Sequence, residues 1–203
     1  MRADKVILRA FLSTLIAIAA LMAFLLITLL CVYPSTMMEI TYDLGMNQSS
    51  VRNATRAYNR TDDIYYIAYA TDVAIESDDY KKIVSCGKRL ISDDEFADYC
   101  EKKNETWGAG AYEQYVYGQV CVAEYKGNKK TQAVARAFEL NGISFAKNNA
   151  VAAVLIVALR EKDADTVEMI KGKMEQLQGE DLSAADGQYL AEMLALVEKT
   201  KMD

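Results

Sequence analysis

The stretch that decides the fold runs from Ala150 to Gln178, AVAAVLIVALREKDADTVEMIKGKMEQLQ. Ala150–Leu159 is apolar without interruption, too short to cross a bilayer but suited to a helix buried on two sides. Ala150, Ala152 and Ala153 are small and let neighbouring helices come close. Lys162-Asp163 breaks the run. Ala164–Gln178 then carries Val167, Ile170, Met174 and Leu177 on a single stripe. A helix walled in on two faces, beside partners apolar on one, is how stacked helical pairs bury a continuous core.

The same alternation extends outward. Toward the N-terminus, the helix Lys147–Glu161 is preceded by Ala111–Lys126 and Lys129–Leu140, divided at Gly127-Asn128. Before them come Asp63–Ser77, with Thr61 or Asp62 as N-cap, and Tyr80–Ile91. Ser92-Asp93-Asp94-Glu95 reads as a capping box opening a short helix that ends near Lys103, with 104–110 as a turn. Toward the C-terminus, Ser183 caps a last helix bearing Tyr189, Leu190, Met193, Leu194 and Val197. No segment sustains an alternation of period two. The predicted class is all-α.

The breaks at Gly127-Asn128 and Lys162-Asp163 lie about 35 residues apart, and apolar clusters recur at about 38 near the C-terminus. Between the first two pairs the interval is about 49, lengthened by the inserted short helix. Over residues 62–203 these helix-turn-helix units resemble tetratricopeptide-like repeats, in architecture rather than consensus motif. The resemblance implies an antiparallel helical-hairpin domain that binds protein and has no chemistry of its own.

The N-terminal part differs in kind. From Ala10 to Tyr33 the chain carries no charge, and as a helix it would measure roughly 36 Å against a hydrocarbon core of about 30 Å. A cleaved secretory signal would have a shorter apolar run and a small-x-small site, and Leu29-Leu30-Cys31-Val32-Tyr33 offers none. A retained transmembrane helix is the expectation. Arg2, Lys5 and Arg9 precede it, whereas Glu39 and Asp43 follow before the first basic residue, Arg52. This bias puts the N-terminus in the cytoplasm and the rest outside. The predicted organisation is a cytoplasmic N-terminus (1–9), the span (10–33), a juxtamembrane segment with a helix (34–61) and the repeat domain (62–203).

Composition narrows function. The 203 residues include no histidine, which excludes Ser-His-Asp and Cys-His nucleophiles and imidazole-ligated metals. A formal charge of −6 argues against nucleic acid as a partner. Acidic clusters lack the spacing of a calcium loop, no CxxC occurs, and Gly108-Ala109-Gly110 is no phosphate loop. No catalytic residue, metal or cofactor is expected.

Three groups of residues are candidates for function. Tyr65, Tyr69, Asp72 and Glu76 share the face opposite the isoleucines of the first repeat helix, and Glu113, Tyr117 and Glu124 cluster on the helix at 111–126. In a hairpin array such first helices line the inner surface, where tyrosine beside acid suits a basic partner segment. Arg52, Arg56 and Arg60 form a row at i, i+4, i+8, which reads as a solvated face or as a contact for anionic headgroups. Cys86 and Cys100 are either a disulfide pinning the inserted helix or, with Cys121, free buried thiols. Sequons at Asn47, Asn53, Asn59 and Asn104 matter only in a eukaryotic secretory lumen.

The expected function is a membrane-anchored, non-catalytic scaffold that binds protein outside the cytoplasm. Its alternatives are a carboxylate-dependent hydrolase of envelope polymers and a structural single-pass subunit using Ala17, Ala20 and Ala23 as a bilayer interface.

Overall fold

The computed structural model describes residues 3–142 and 150–200. The predicted helix start at 147–149 lies outside the described residues. Among the described residues the chain is all-α, with eleven helices: α1 (Ala3–Val32), α2 (Pro34–Asp43), α3 (Asn47–Thr61), α4 (Ile64–Glu76), α5 (Tyr80–Ile91), α6 (Phe96–Trp107), α7 (Ala111–Lys126), α8 (Lys130–Asn141), α9 (Ala150–Arg160), α10 (Ala164–Leu177) and α11 (Ala184–Lys199).

Within α1, Leu8–Leu29 is 22 residues long and apolar enough to cross a membrane, as a signal sequence would also be, and none of it is buried against the rest of the chain. Its hydroxyls turn inward. Ser13 and Thr14 donate to the Ala10 carbonyl at 2.9 Å and Thr28 to that of Phe24 at 2.8 Å, so these groups cost little in an apolar setting.

Four connections beyond α1 are built alike. Gly45, Asp78, Asn128 and Lys162 each take a left-handed conformation, with φ of 69°, 51°, 59° and 55°. The following residue donates its N–H five residues back: Met46 to Thr41 (2.8 Å), Asp79 to Ala74 (3.1 Å), Lys129 to Glu124 (3.0 Å) and Asp163 to Ala158 (3.0 Å). The left-handed residue donates three back, to Tyr42, Ile75, Tyr125 and Leu159. This paired closure satisfies carbonyls that a helix end otherwise leaves open. The turns lie about 33, 50 and 34 residues apart, the long interval containing α6.

Burial keeps the same register. Four positions before the left-handed residue stand Thr41, Ala74, Glu124 and Ala158, and seven before it Met38, Thr71, Cys121 and Leu155, all buried. Five positions after it Ser50, Ile83, Ala133 and Val167 are buried too. Two apolar clusters result. One gathers Met38, Val51, Ile67, Leu90 and Val116; the other gathers Tyr125, Leu155, Ile170, Met174 and Leu190. Helix α7 contributes to both, and α5 packs directly on it. Where they meet, a Cβ on Gly87 would collide with Val120 Cγ2, so only glycine fits there.

Several boundaries differ from those predicted. Residues 34–61, set apart as juxtamembrane, form two helices, and Met38, Val51 and Ala54 enter the first apolar cluster. Pro34 follows α1 after Tyr33. It sits at the first position of α2, where its fixed φ suits a helix start and its missing N–H is no loss. Helix α4 is capped by Asp63, which accepts from Tyr65 N at 2.9 Å, rather than by Thr61 or Asp62. Ser92 turns back to the Arg89 carbonyl, so no capping box forms; Asp93 accepts from Glu95 N instead. Helix α6 then runs past Lys103 to Trp107, because no breaker precedes Gly108.

Candidate functional site

Tyr65, Tyr69, Asp72 and Glu76 do project from one side of α4, since their spacing returns every turn or two to the same face. Around them the structure assembles aromatic rings from three further helices. From α2, Tyr42 meets Tyr69 edge-on at 6.0 Å and donates its hydroxyl to Glu76 Oε2 at 2.8 Å. Tyr65, 45% exposed, lies 5.5 Å from Tyr66 and 6.3 Å from Tyr69. From α7, the buried Tyr112 donates to both oxygens of Asp72, at 3.1 and 3.3 Å.

Helix α6 supplies the remaining wall. Lys103 Nζ stands 5.7 Å from the ring centre of Tyr99 and 5.6 Å from that of Tyr112, within cation–π range. Half-exposed Trp107 packs against Tyr112 at 5.4 Å and Tyr115 at 5.2 Å. Asn104 Oδ1 accepts from Tyr112 N at 3.0 Å and ties α6 to the start of α7.

Burial pushes the Asp72 carboxyl up to about 6, although the Tyr112 hydrogen bond and the Lys103 charge both pull it down. Burial likewise raises the hydroxyls of Tyr112 and Tyr115, with Asp72 adding to each. An acid held against its preference among half-exposed rings is a place where a docking cation would relieve a cost.

The predicted residues of α7 go elsewhere. Tyr117 packs 5.9 Å from Phe96 and against both apolar clusters, and burial raises its hydroxyl. Glu113 is half-buried on the same side, near enough to raise Tyr117 and Cys100 by its charge. Glu124 is buried. Its carboxylate pairs with Lys88 of α5 and accepts from Arg136 Nε of α8 at 2.9 Å, so it clamps three helices and lies away from the α4 rings. Tyr42, Tyr99, Lys103, Trp107, Tyr112 and Tyr115 were not foreseen. The Tyr99–Lys103 pair at i, i+4 was the available sign, hidden by ending α6 at Lys103.

Cys86, Cys100 and Cys121 are free, buried thiols, and no bridge joins Cys86 to Cys100. Cys86 Sγ lies 3.9 Å from Thr55 Oγ1 of α3, and burial pushes Cys100 and Cys121 up to about 12. Among the described residues no three Cys, Asp or Glu converge to hold a metal. Asn53 is 2% exposed, which closes that sequon to a glycan. Arg52, Arg56 and Arg60 lie exposed on α3, and Arg60 Nη1 donates to the Val32 carbonyl at 3.4 Å.

Another acid holds the second half together. Asp163 accepts from Tyr125 Oη at 2.9 Å, from Thr166 Oγ1 at 2.7 Å and from Thr166 N at 3.4 Å, and pairs with Lys130 at 2.8 Å. Burial works to raise it, but hydrogen bonds from Lys130, Thr166 and Tyr125 outweigh burial and hold it near 2.

No protein-family model, curated protein or solved structure matches this chain.

Proposed function

We propose that the chain is a single-pass membrane protein with a cytoplasmic N-terminus, presenting antiparallel helical pairs of tetratricopeptide-like architecture as a non-catalytic protein-binding scaffold outside the cytoplasm. The α1 segment Leu8–Leu29 supports the anchor, and the basic residues before it support the orientation. The four alike turns support the pairs α2/α3, α4/α5, α7/α8 and α9/α10, with α6 as an insertion and α11 as a closing half-unit.

The observation that carries the binding role is the surface of Tyr42, Tyr65, Tyr69, Tyr115 and Trp107 around Asp72 and Glu76. Rigid aromatic area beside unneutralised acid favours a partner segment bearing Lys or Arg. A hydrolase would need two free acids converging in a cleft. Here each acid already holds a tyrosine hydroxyl.

Affinity capture of the full chain from detergent-solubilised membranes tests this, comparing the parent with Tyr65→Ala/Glu76→Lys. The reading expects the variant to lose a partner that the parent retains, at unchanged helicity by circular dichroism. An identical partner set would overturn it. Replacing Ala17, Ala20 and Ala23 with Leu separates the structural-subunit alternative, which alone requires a packed interface within the bilayer.

A further inference from the structure

A cavity of about 430 Å³ lies where α1, α2 and α3 meet. Its apolar side is formed by Leu26 of α1 with Met37 and Ile40 of α2 and Leu44 just after it. Its polar side is formed by Arg52, Asn53 and Arg56 of α3. Asn53 is 2% exposed, and its Nδ2 has no hydrogen-bond partner among the described residues. A buried amide N–H without an acceptor is rare in a folded chain and marks a place where an acceptor belongs. Arg52 and Arg56, one turn apart, are exposed and stand at the same cavity in a chain of net charge −6. No acid pairs with either among the described residues.

The surroundings say what kind of acceptor fits. Leu26 belongs to the last turns of the segment long enough to cross a membrane, which ends at Leu29. Nearby, Tyr33, Ile40, Leu44 and Met46 expose 54%, 42%, 68% and 51% of their surface. Apolar side chains and an aromatic at that level are typical of a segment seated at the boundary between hydrocarbon and headgroups. A ligand there must be apolar at one end and anionic at the other. Two guanidiniums and an amide donor match the oxygens of a phosphodiester, and the Leu26–Met37–Ile40–Leu44 wall matches the start of an acyl chain.

We infer that this cavity binds one anionic phospholipid. Arg52 and Arg56 grip its phosphate, Asn53 Nδ2 donates to a phosphate or ester oxygen, and one acyl chain descends along α1. The inference rests on the proposal that α1 stays in the membrane. The lipid would fix the α2/α3 pair against the bilayer and set the tilt of everything after it. Arg60 already donates to the Val32 carbonyl and lies outside the cavity, so it is not part of the grip.

The full chain, reconstituted in phosphatidylcholine vesicles with and without phosphatidylglycerol, is first floated on a density gradient and then examined by native mass spectrometry from neutral detergent. The parent should float with both vesicles and retain one phosphatidylglycerol, at ~30-fold preference over phosphatidylcholine for two guanidiniums. Arg52→Gln/Arg56→Gln should float equally well and fall to within about twofold of no preference. Arg60→Gln should keep the parent's preference. Inorganic phosphate in excess should not displace the lipid. A chain that fails to float overturns the anchor and the site together. A chain that floats but shows no lipid preference overturns the site alone. Displacement by free phosphate, or equal loss of preference in Arg60→Gln, would reduce the cavity to an unspecific basic surface and overturn the inference.

Discussion

The hydroxyl of Tyr112 on α7 reaches both carboxylate oxygens of Asp72 on α4, at 3.1 and 3.3 Å, and so ties α4 to α7. The carboxylate it meets is held high, at about 6, by burial first, against the pull of that hydrogen bond and of Lys103. Unfolded, the same group titrates at about 3.9. Between about pH 4 and 6 the folded chain binds a proton that the unfolded chain has released, so stability falls as pH rises through that window. Asp72→Asn removes the ionisation and keeps an acceptor for Tyr112. Thermal melts should show the variant more stable than the parent above pH 6 by about 1–2 kcal/mol, with the gap closed below pH 4. A gap of opposite sign at pH 7.5 would mean that the Asp72 charge is stabilising.

Asp163 behaves oppositely. Its folded carboxyl is held near 2 by Lys130, Thr166 and Tyr125, below its unfolded value, despite a burial effect of contrary sign. Its contribution is complete above about pH 4 and is lost as pH falls toward 2. Asp163→Ala removes an N-cap and the partner of Tyr125 and Lys130 together. Chemical denaturation at pH 7 should record a loss of about 2 kcal/mol, shrinking toward zero near pH 2.

Much of the second half could be read from residue order alone. Val167, Ile170, Met174 and Leu177 repeat at helical spacing, and α5 and α7 fall on their predicted bounds because clear apolar stripes meet clear breakers. The first pair could not be read that way. Helix α3 buries Ser50, Asn53 and Ala57, small or polar residues that let α2 and α4 approach but leave no hydrophobic period. The recurrence of the four turns was masked for a related reason. Asp78 and Lys162 adopt left-handed conformations usual for glycine, and such a residue at a turn carries no compositional mark. Without Gly45 in the series, the interval of about 34 residues appears only once, and the insertion of α6 obscures it. For the candidate site, the α4 residues were legible as a face, whereas the α7 residues required knowing which side of that helix meets α5 and α8.

Gly87 sits where α5 packs on α7. An added methyl would collide with Val120 Cγ2, and Val120 is fully buried and stiff at χ1. Gly87→Ala should cost about 1–3 kcal/mol despite its better helix propensity, and Gly87→Ala/Val120→Ala should recover part of it. Urea unfolding of the parent and the two variants measures this. A stabilised Gly87→Ala would show that α5 and α7 do not approach so closely.

Glu124 occupies the position that Thr41, Ala74 and Ala158 hold before the other three turns. A charge is tolerated there because Lys88 and Arg136 meet it, each about a third exposed at its side chain. Glu124→Ala should cost about 2 kcal/mol, less than for a fully buried ion pair, because both cations can turn to water. Combining it with Lys88→Met and Arg136→Met should restore part of the loss. If the triple variant is no more stable than the single, the clamp does not act as a unit.

The most direct measurement is the intact mass of the chain recovered from membranes after alkaline carbonate extraction. A retained anchor predicts that the protein stays in the pellet with residues 1–33 still attached. Recovery in the soluble fraction of a chain shortened by those residues would show that the apolar helix is a removed leader, and would contradict the account.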